Sequence, residues 1–237
     1  MFNLYLIRGG FRFHTITIFQ NRMQYIFDIF DSIVLKDISS RHQIRDIAQL
    51  RKILLFYIAN VGNPISAISI SNYLKNEKRG ISTETLYNYV EYGKESCLLN
   101  PVNREDLIGK SILKTQSKIY ITDHRLRNAV HQNNRRDINQ TLENIVYVEH
   151  LRRGYDVTVG KVKDAEIDFC AKKNGETAYF QVAYLLATPK TAEREFSALE
   201  KVNANFPKYV LSMDEILQSR NGIIHKNVVD FLMEKAV

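Results

Sequence analysis

The chain has 237 residues, 45% of them hydrophobic and 25% charged, with 10 Gly, 4 Pro and 2 Cys. That balance excludes collagen-like, low-complexity and disordered classes, and two cysteines exclude a disulfide framework. The formal charge of +7 is concentrated: residues 1–120 hold 16 Lys and Arg against 10 Asp and Glu, residues 121–237 hold 17 against 16. Nucleic-acid contact is therefore expected of the first half, with a solvated basic surface as the plain alternative.

In chain order, Met1 to Gln20 carries only a short apolar patch, Phe2 to Ile7, broken by Arg8. That is no signal peptide, and no apolar run approaches the ~20 residues a membrane helix needs. A reduced, cytoplasmic chain without a membrane partner is expected. Residues 24–60 read as helix, with Ile26, Phe27, Phe30, Ile33 and Val34, then Ile44, Ile47, Leu50, Ile53 and Leu54, at helical spacing. Gly62-Asn63-Pro64 stops the run. A short helix from Ser66 to Lys75, a turn at Asn76 to Gly80 and a helix from Thr83 to Leu98 with Ser82 as N-cap follow. Leu98 to Ile121 suits a β-hairpin turning near Gly109-Lys110.

Helix, short helix, turn, longer helix and hairpin is the order of a winged helix. Its second helix would present Tyr87 and Asn88 to a groove, with Lys75, Lys78, Arg79, Lys110, Lys114 and Lys118 holding phosphates. Glu84, Glu91 and Glu95 on the same helix repel phosphate, so protein docking stays open beside DNA contact.

From Asp123 the pattern changes to helix, three strands, helix, strand: a small α/β domain. The helix 137–154 is closed by Gly154, and Asn174-Gly175 supplies a hairpin turn between strands at 166–171 and 178–184. A helix over 191–202, a strand at 209–212 and a terminal helix from about Val228 complete it.

Gly109-Lys110-Ser111 imitates the end of a P-loop, but Arg104 stands where the upstream glycine is required, so ATP hydrolysis by that route is not expected. The six histidines have no zinc spacing. The remaining chemistry is acidic. Asp168 alternates with Ile167 and Phe169, which puts it on the sheet face of Glu166 and Cys170; Gln181 lies on the partner strand. A strand carboxylate beside an amide oxygen is one way to hold Mg²⁺ for phosphodiester hydrolysis. Glu149 falls within the apolar helix stripe of Leu142, Ile145 and Val146, and Glu143 at its edge. The plain alternative makes Asp168 and Glu149 structural ion pairs and Gln181 a satisfied strand amide.

The run Glu143-Asn144-Ile145-Val146-Tyr147, Arg153-Gly154-Tyr155, Glu166-Ile167-Asp168-Phe169 and Gln181-Val182-Ala183-Tyr184 resembles the C-terminal domain of prokaryotic AAA-family ATPases. That domain is similar to the restriction-endonuclease-like PD-(D/E)XK superfamily, in which a helix Glu, a strand Asp and a (D/E/Q)-x-Lys strand form a metal site. The resemblance implies Glu143, with Glu149 as second choice, Asp168 and Gln181 as metal-binding and catalytic residues, and Mg²⁺ or Mn²⁺ as cofactor. It departs at Ala183, the Lys position, where a cation would meet transition-state charge. Upstream, Tyr25 to Ile38 and Ser82 to Tyr89 resemble the lid helices and winged helix of the same ATPases, and Tyr5 to Phe11 the end of their core.

The implied layout is α+β: a core remnant at 1–23, lid helices and winged helix at 24–122, and an α/β restriction-endonuclease-like domain with a small mixed central sheet at 123–237. The implied function is a non-motor protein that binds DNA or a separately encoded P-loop ATPase fragment. A metal-dependent endonuclease, and a regulatory subunit or inert remnant of a split ATPase, are the alternatives.

Overall fold

The computed structural model describes residues 19–76, 80–109, 111–130 and 138–234. The chain is α+β with a mixed sheet, as expected, and it divides into two compact units. Unit 1 comprises residues 1–101 and 117–136, unit 2 residues 102–116 and 137–237. Unit 2 is thus discontinuous in sequence.

The first described element of unit 1 is α1 (Phe19–Ser32), which continues through a π-helical stretch, Ile33–Ser39, into α2 (Ser40–His42). Ile26, Phe30, Val34 and Ile38 are buried at intervals of four. Four residues at 100° overshoot a full turn, and the wider π winding offsets that drift and keeps one face on the core. The two helical runs predicted over 24–60 are separated where Gln43 adopts φ 51°. Asp46 then caps α3 (Ile47–Ala59) by accepting from the Gln49 N–H at 2.8 Å.

After α3 come β1 (Pro64–Ile65), α4 (Ala67–Asn76) and α5 (Thr83–Glu95). Ser82 caps α5 as the sequence predicts, accepting from the Thr85 N–H at 3.0 Å. The helix ends earlier than Leu98, because Cys97 turns to φ 57° and Leu98 and Leu99 go into the core instead. Two strands follow, β2 (Leu99–Asp106) and β3 (Ser111–Ile121), and the division between units falls inside both. Within unit 1, β1 pairs antiparallel with β3, Pro64 facing Lys118 and Ile65 facing Ser117. Beyond β3 lies α6 (Arg125–Val130), which periodicity did not reveal. His42 lies flat on Tyr92, ring centroids 3.6 Å apart, and reaches Glu95 at 3.1 Å, joining the end of α2 to α5.

Unit 2 holds α7 (Ile138–Arg152), β4 (Asp156–Val162), β5 (Ala165–Lys173), β6 (Glu176–Val182), α8 (Pro189–Glu200), β7 (Lys208–Ser212), β8 (Ile223–Asn227) and α9 (Val228–Met233). Gly154, at φ 79°, turns the chain after α7 in the left-handed region, and Asn174 and Gly175, at φ 52° and 84°, make the predicted hairpin turn. The order is β2-β4-β5-β6-β7-β8; β2 runs parallel to β4, β4 to β6 are antiparallel, and β6 to β8 are parallel. On one face, Tyr147 and His150 of α7 meet Phe169, and Phe231 of α9 meets Phe180. On the other, Phe196 and Leu199 of α8 pack with Ile167, Cys170, Tyr179, Val210 and Ile223. The sequence did not reveal β8, nor that the predicted hairpin strand β2 would border β4.

Candidate functional site

Glu143, Asp168 and Gln181 line one cavity of about 470 Å³, together with Glu166, Ala183 and residues of α8. The three residues singled out from the sequence therefore meet. All three are buried, each 8% exposed.

The cause lies in the register of β5. Thr158 faces Cys170 but Gly160 faces Ile167, so Asp168 and Phe169 together stand opposite Val159. This is bulge geometry, which shifts the strand's alternation by one. The expected alternation, with Ile167 opposite Cys170, is corrected accordingly: both belong to the core under α8. The regular β5–β6 register ends at Phe169 and Phe180. Beyond it, side chains continue the ladder. The Asp168 carboxylate accepts from the Val182 N–H at 2.9 Å, and the Gln181 side-chain oxygen accepts from the Asp168 N–H at 3.3 Å. Two backbone donors at the strand ends are thereby satisfied.

Around this pair the charges are matched. Glu166 receives Arg104 at 3.1 Å, Glu195 receives Arg194 at 2.5 Å, and Asp164 receives Lys201 at 2.9 Å. Among the described residues no group of three or more His, Cys, Asp or Glu is arranged to hold a metal ion. Asp168 and Gln181 each give a side-chain oxygen to a backbone donor, and Ala183 supplies no cation at the Lys position of the site implied by the resemblance.

Glu149 belongs elsewhere. It receives Arg152 at 2.7 Å and Arg153 at 2.6 Å. Burial acts to raise its pKa, but the hydrogen bonds and charges of the two arginines outweigh it and hold the carboxyl below its ordinary value. Glu149 is thus the structural ion pair weighed from the sequence, and it does not line the cavity of Glu143.

Of the expected nucleic-acid contacts, Lys75, Tyr87 and Asn88 are exposed. Lys118 is not on the surface: it is 4% exposed on β3, opposite Pro64. An alternating strand pattern with a lysine reads as solvent-facing, so this expectation is corrected. Lys78, Arg79 and Lys110 lie outside the described residues, as does the side chain of Lys114. Glu84 and Glu91 are exposed on the same helix as Tyr87 and Asn88.

Buried Ser212 and His225, with half-buried Asp214, imitate a nucleophile with its base. The His225 Nδ1 accepts from the Gln218 N–H at 3.0 Å, so its proton sits on Nε2, which donates to Ser212 at 2.8 Å. Ser212 in turn donates to Asp214 at 2.8 Å. The imidazole is a donor rather than a base toward that hydroxyl, and burial holds its pKa below the ordinary value. The group ties β7 to β8. Cys97 is exposed and Cys170 buried, its thiol pushed up to about 12 by burial and the nearby Glu105, so neither cysteine is in a disulfide and Cys170 is inert. Among the described residues no helix is long and apolar enough to cross a membrane.

Residues 1–137 match the family described as Domain of unknown function (DUF8612), and the chain belongs to that family. It is 36% identical over 207 residues to an uncharacterized protein of Haemophilus influenzae, covering 87% of this chain and 51% of that protein. It is 30% identical over 204 residues to an uncharacterized protein of Methanocaldococcus jannaschii, covering 84% of this chain and 45% of that protein. The chain spans about half the length of these curated relatives. No solved structure matches it.

Proposed function

We propose that the chain is a non-motor DNA-binding protein: a basic winged helix joined to a restriction-endonuclease-like unit that no longer cleaves, akin to the C-terminal portion of prokaryotic AAA-family ATPases. The observation that carries the reading is the division of charge. Unit 1 holds 17 Lys and Arg against 9 Asp and Glu, unit 2 holds 16 against 17. The whole excess of cations thus lies on one unit. The order α3-β1-α4-α5-β2-β3, with β1 antiparallel to β3, supports the winged helix. The ladder role of Asp168 and Gln181 supports the loss of cleavage.

A mobility shift of the full chain on short duplex DNA at about 50 mM salt tests the binding. A shift that weakens steeply with added salt and is reduced by Lys75→Glu is expected; no shift at low salt overturns the reading. For the second unit, incubation with plasmid and branched DNA in Mn²⁺ is expected to leave the DNA intact. Cleavage abolished by Glu143→Gln would instead establish a metal-dependent endonuclease.

A second reading is favoured by the exposed Glu84, Glu91 and Glu95 of α5. They suit a basic protein surface, such as a separately encoded P-loop ATPase fragment. Co-purification with such a fragment, lost on reversing Glu84 and Glu91 to Lys, is the expected outcome under that reading.

A further inference from the structure

Unit 2 has a second cavity, of about 540 Å³, within the range of small-molecule sites. On β6, Phe180 lines this cavity and Gln181 the first. Adjacent strand residues point to opposite faces, so the two cavities are separate. Tyr155, Phe180, Phe206, Tyr209 and Phe231 form its walls. Phe180 and Tyr209 are stacked at 5.0 Å, while Phe206 stands at the rim with 45% of its surface exposed.

Three cations share the cavity. Arg153 is committed to its walls: it lies 4.3 Å from the centre of the Phe231 ring, bonds the Phe231 carbonyl and pairs with Glu149. Lys173 and Lys226 lie over Tyr155 and Tyr209, 5.7 and 5.4 Å from the ring centres. The Lys226 pair with Glu234, at 2.7 Å, is solvent-accessible, and a phosphate competes with such a pair readily. Among the described lining residues only Glu176 and Glu234 oppose these cations. Below Phe180, Phe231 and Tyr155 sits His150, fully buried, with neither ring nitrogen hydrogen-bonded. Its burial keeps it uncharged, so the floor is apolar in effect.

Aromatic faces beside flexible cations are the chemistry that holds a stacked base and its phosphate. We propose that this cavity binds a nucleotide unit, an aromatic base carrying a phosphate, whether free or within a single strand. The base stacks on Phe206, and the phosphate meets Lys173 and Lys226. This goes beyond the duplex binding ascribed to unit 1.

Calorimetric titration of the full chain with dAMP, and separately with the single strand (dA)8, tests it. Saturable binding of either probe is expected. Phe206→Ala and the Lys173→Met, Lys226→Met double variant should each weaken it at least five-fold, while Phe206→Tyr keeps it and Lys75→Glu leaves dAMP binding unchanged. Binding of (dA)8 more than ten-fold tighter than dAMP assigns the site to strands, comparable affinities to free nucleotides. The proposal is overturned if neither probe saturates at millimolar concentration, or if binding survives both pocket variants. The altered side chains are at least partly exposed, and circular dichroism checks that the variants fold.

Discussion

The two cavities of unit 2 are built from opposite materials. The one containing Asp168 is acidic and closed upon itself: its carboxylate and amide complete a strand ladder, and its outer acids are met by Arg104, Arg194 and Lys201. The one containing Phe206 is aromatic and cationic, and its floor is a histidine whose ring nitrogens have no hydrogen-bond partner. Polar residues that look catalytic in a sequence can thus serve backbone hydrogen bonds, while aromatic and cationic groups gather where no motif points.

The contrast is testable through stability, beginning with the floor. Burial, assisted by Arg153 and opposed by Glu149, depresses the His150 imidazole to about 3. The unfolded chain takes up that proton near pH 6.5, the folded chain only near 3. Stability is therefore full above about pH 6.5 and falls on acidification by about 1.4 kcal/mol per unit until the folded imidazole protonates. Urea unfolding between pH 7 and 4 should show this slope, and His150→Phe should flatten it. A wild-type curve flat over that range would remove the distinction between the cavities.

Glu149→Ala comes next. It leaves Arg153, 10% exposed, without its carboxylate, and should lower stability by about 3 kcal/mol. If Glu149 served only a ligand, unfolding would be unaffected.

At the acidic cavity, Asp168→Ala orphans the buried Val182 N–H and should cost about 2 kcal/mol, whereas Asp168→Asn keeps an acceptor and should cost less than half of that. A carboxylate kept for metal binding behaves in the opposite way: its removal relieves crowded charge and stabilises the fold. Gln181→Ala, which removes the longer 3.3 Å contact, should have the smallest effect, about 1 kcal/mol, read from the same urea midpoints.

Local signals carried much of this fold. Ser82, Gly154 and Asn174-Gly175 each act through their own few neighbours, and each stands where its chemistry places it. Asp168 and Gln181, read from strand alternation, and Glu143, chosen through the resemblance, also meet in one cavity, whereas helix spacing placed Glu149 in the apolar stripe. What escaped depends on distant partners. The two-residue β1 depends on β3 passing beside it, and the burial of Lys118 on β3 is likewise invisible locally. The strand β8, Ile223–Asn227, is short and carries Lys226 and an exposed Ile224, so its pattern is weak without β7 alongside. The bulge at Asp168 is set by the register against β4, and that bulge decides what the carboxylate does. The aromatic cavity draws on β5, β6, β7, β8 and α9, and no window of sequence contains it.

The parallel pairing of Arg104, Glu105 and Asp106 with Val159, Gly160 and Lys161 has a consequence for the newborn chain. As the protein leaves the ribosome, β2 emerges more than fifty residues before the strand it borders. During that interval its outer edge is bare, and Glu105 waits for the lysine and threonine, Lys172 and Thr158, that will hold it. Synthesis at about 5–20 residues per second makes the wait several seconds. An open strand edge is a template for pairing with a neighbouring chain. The acids at 105 and 106 guard that edge through its exposed period, and charge-neutral substitutions there should appear first as lost soluble yield rather than as altered binding.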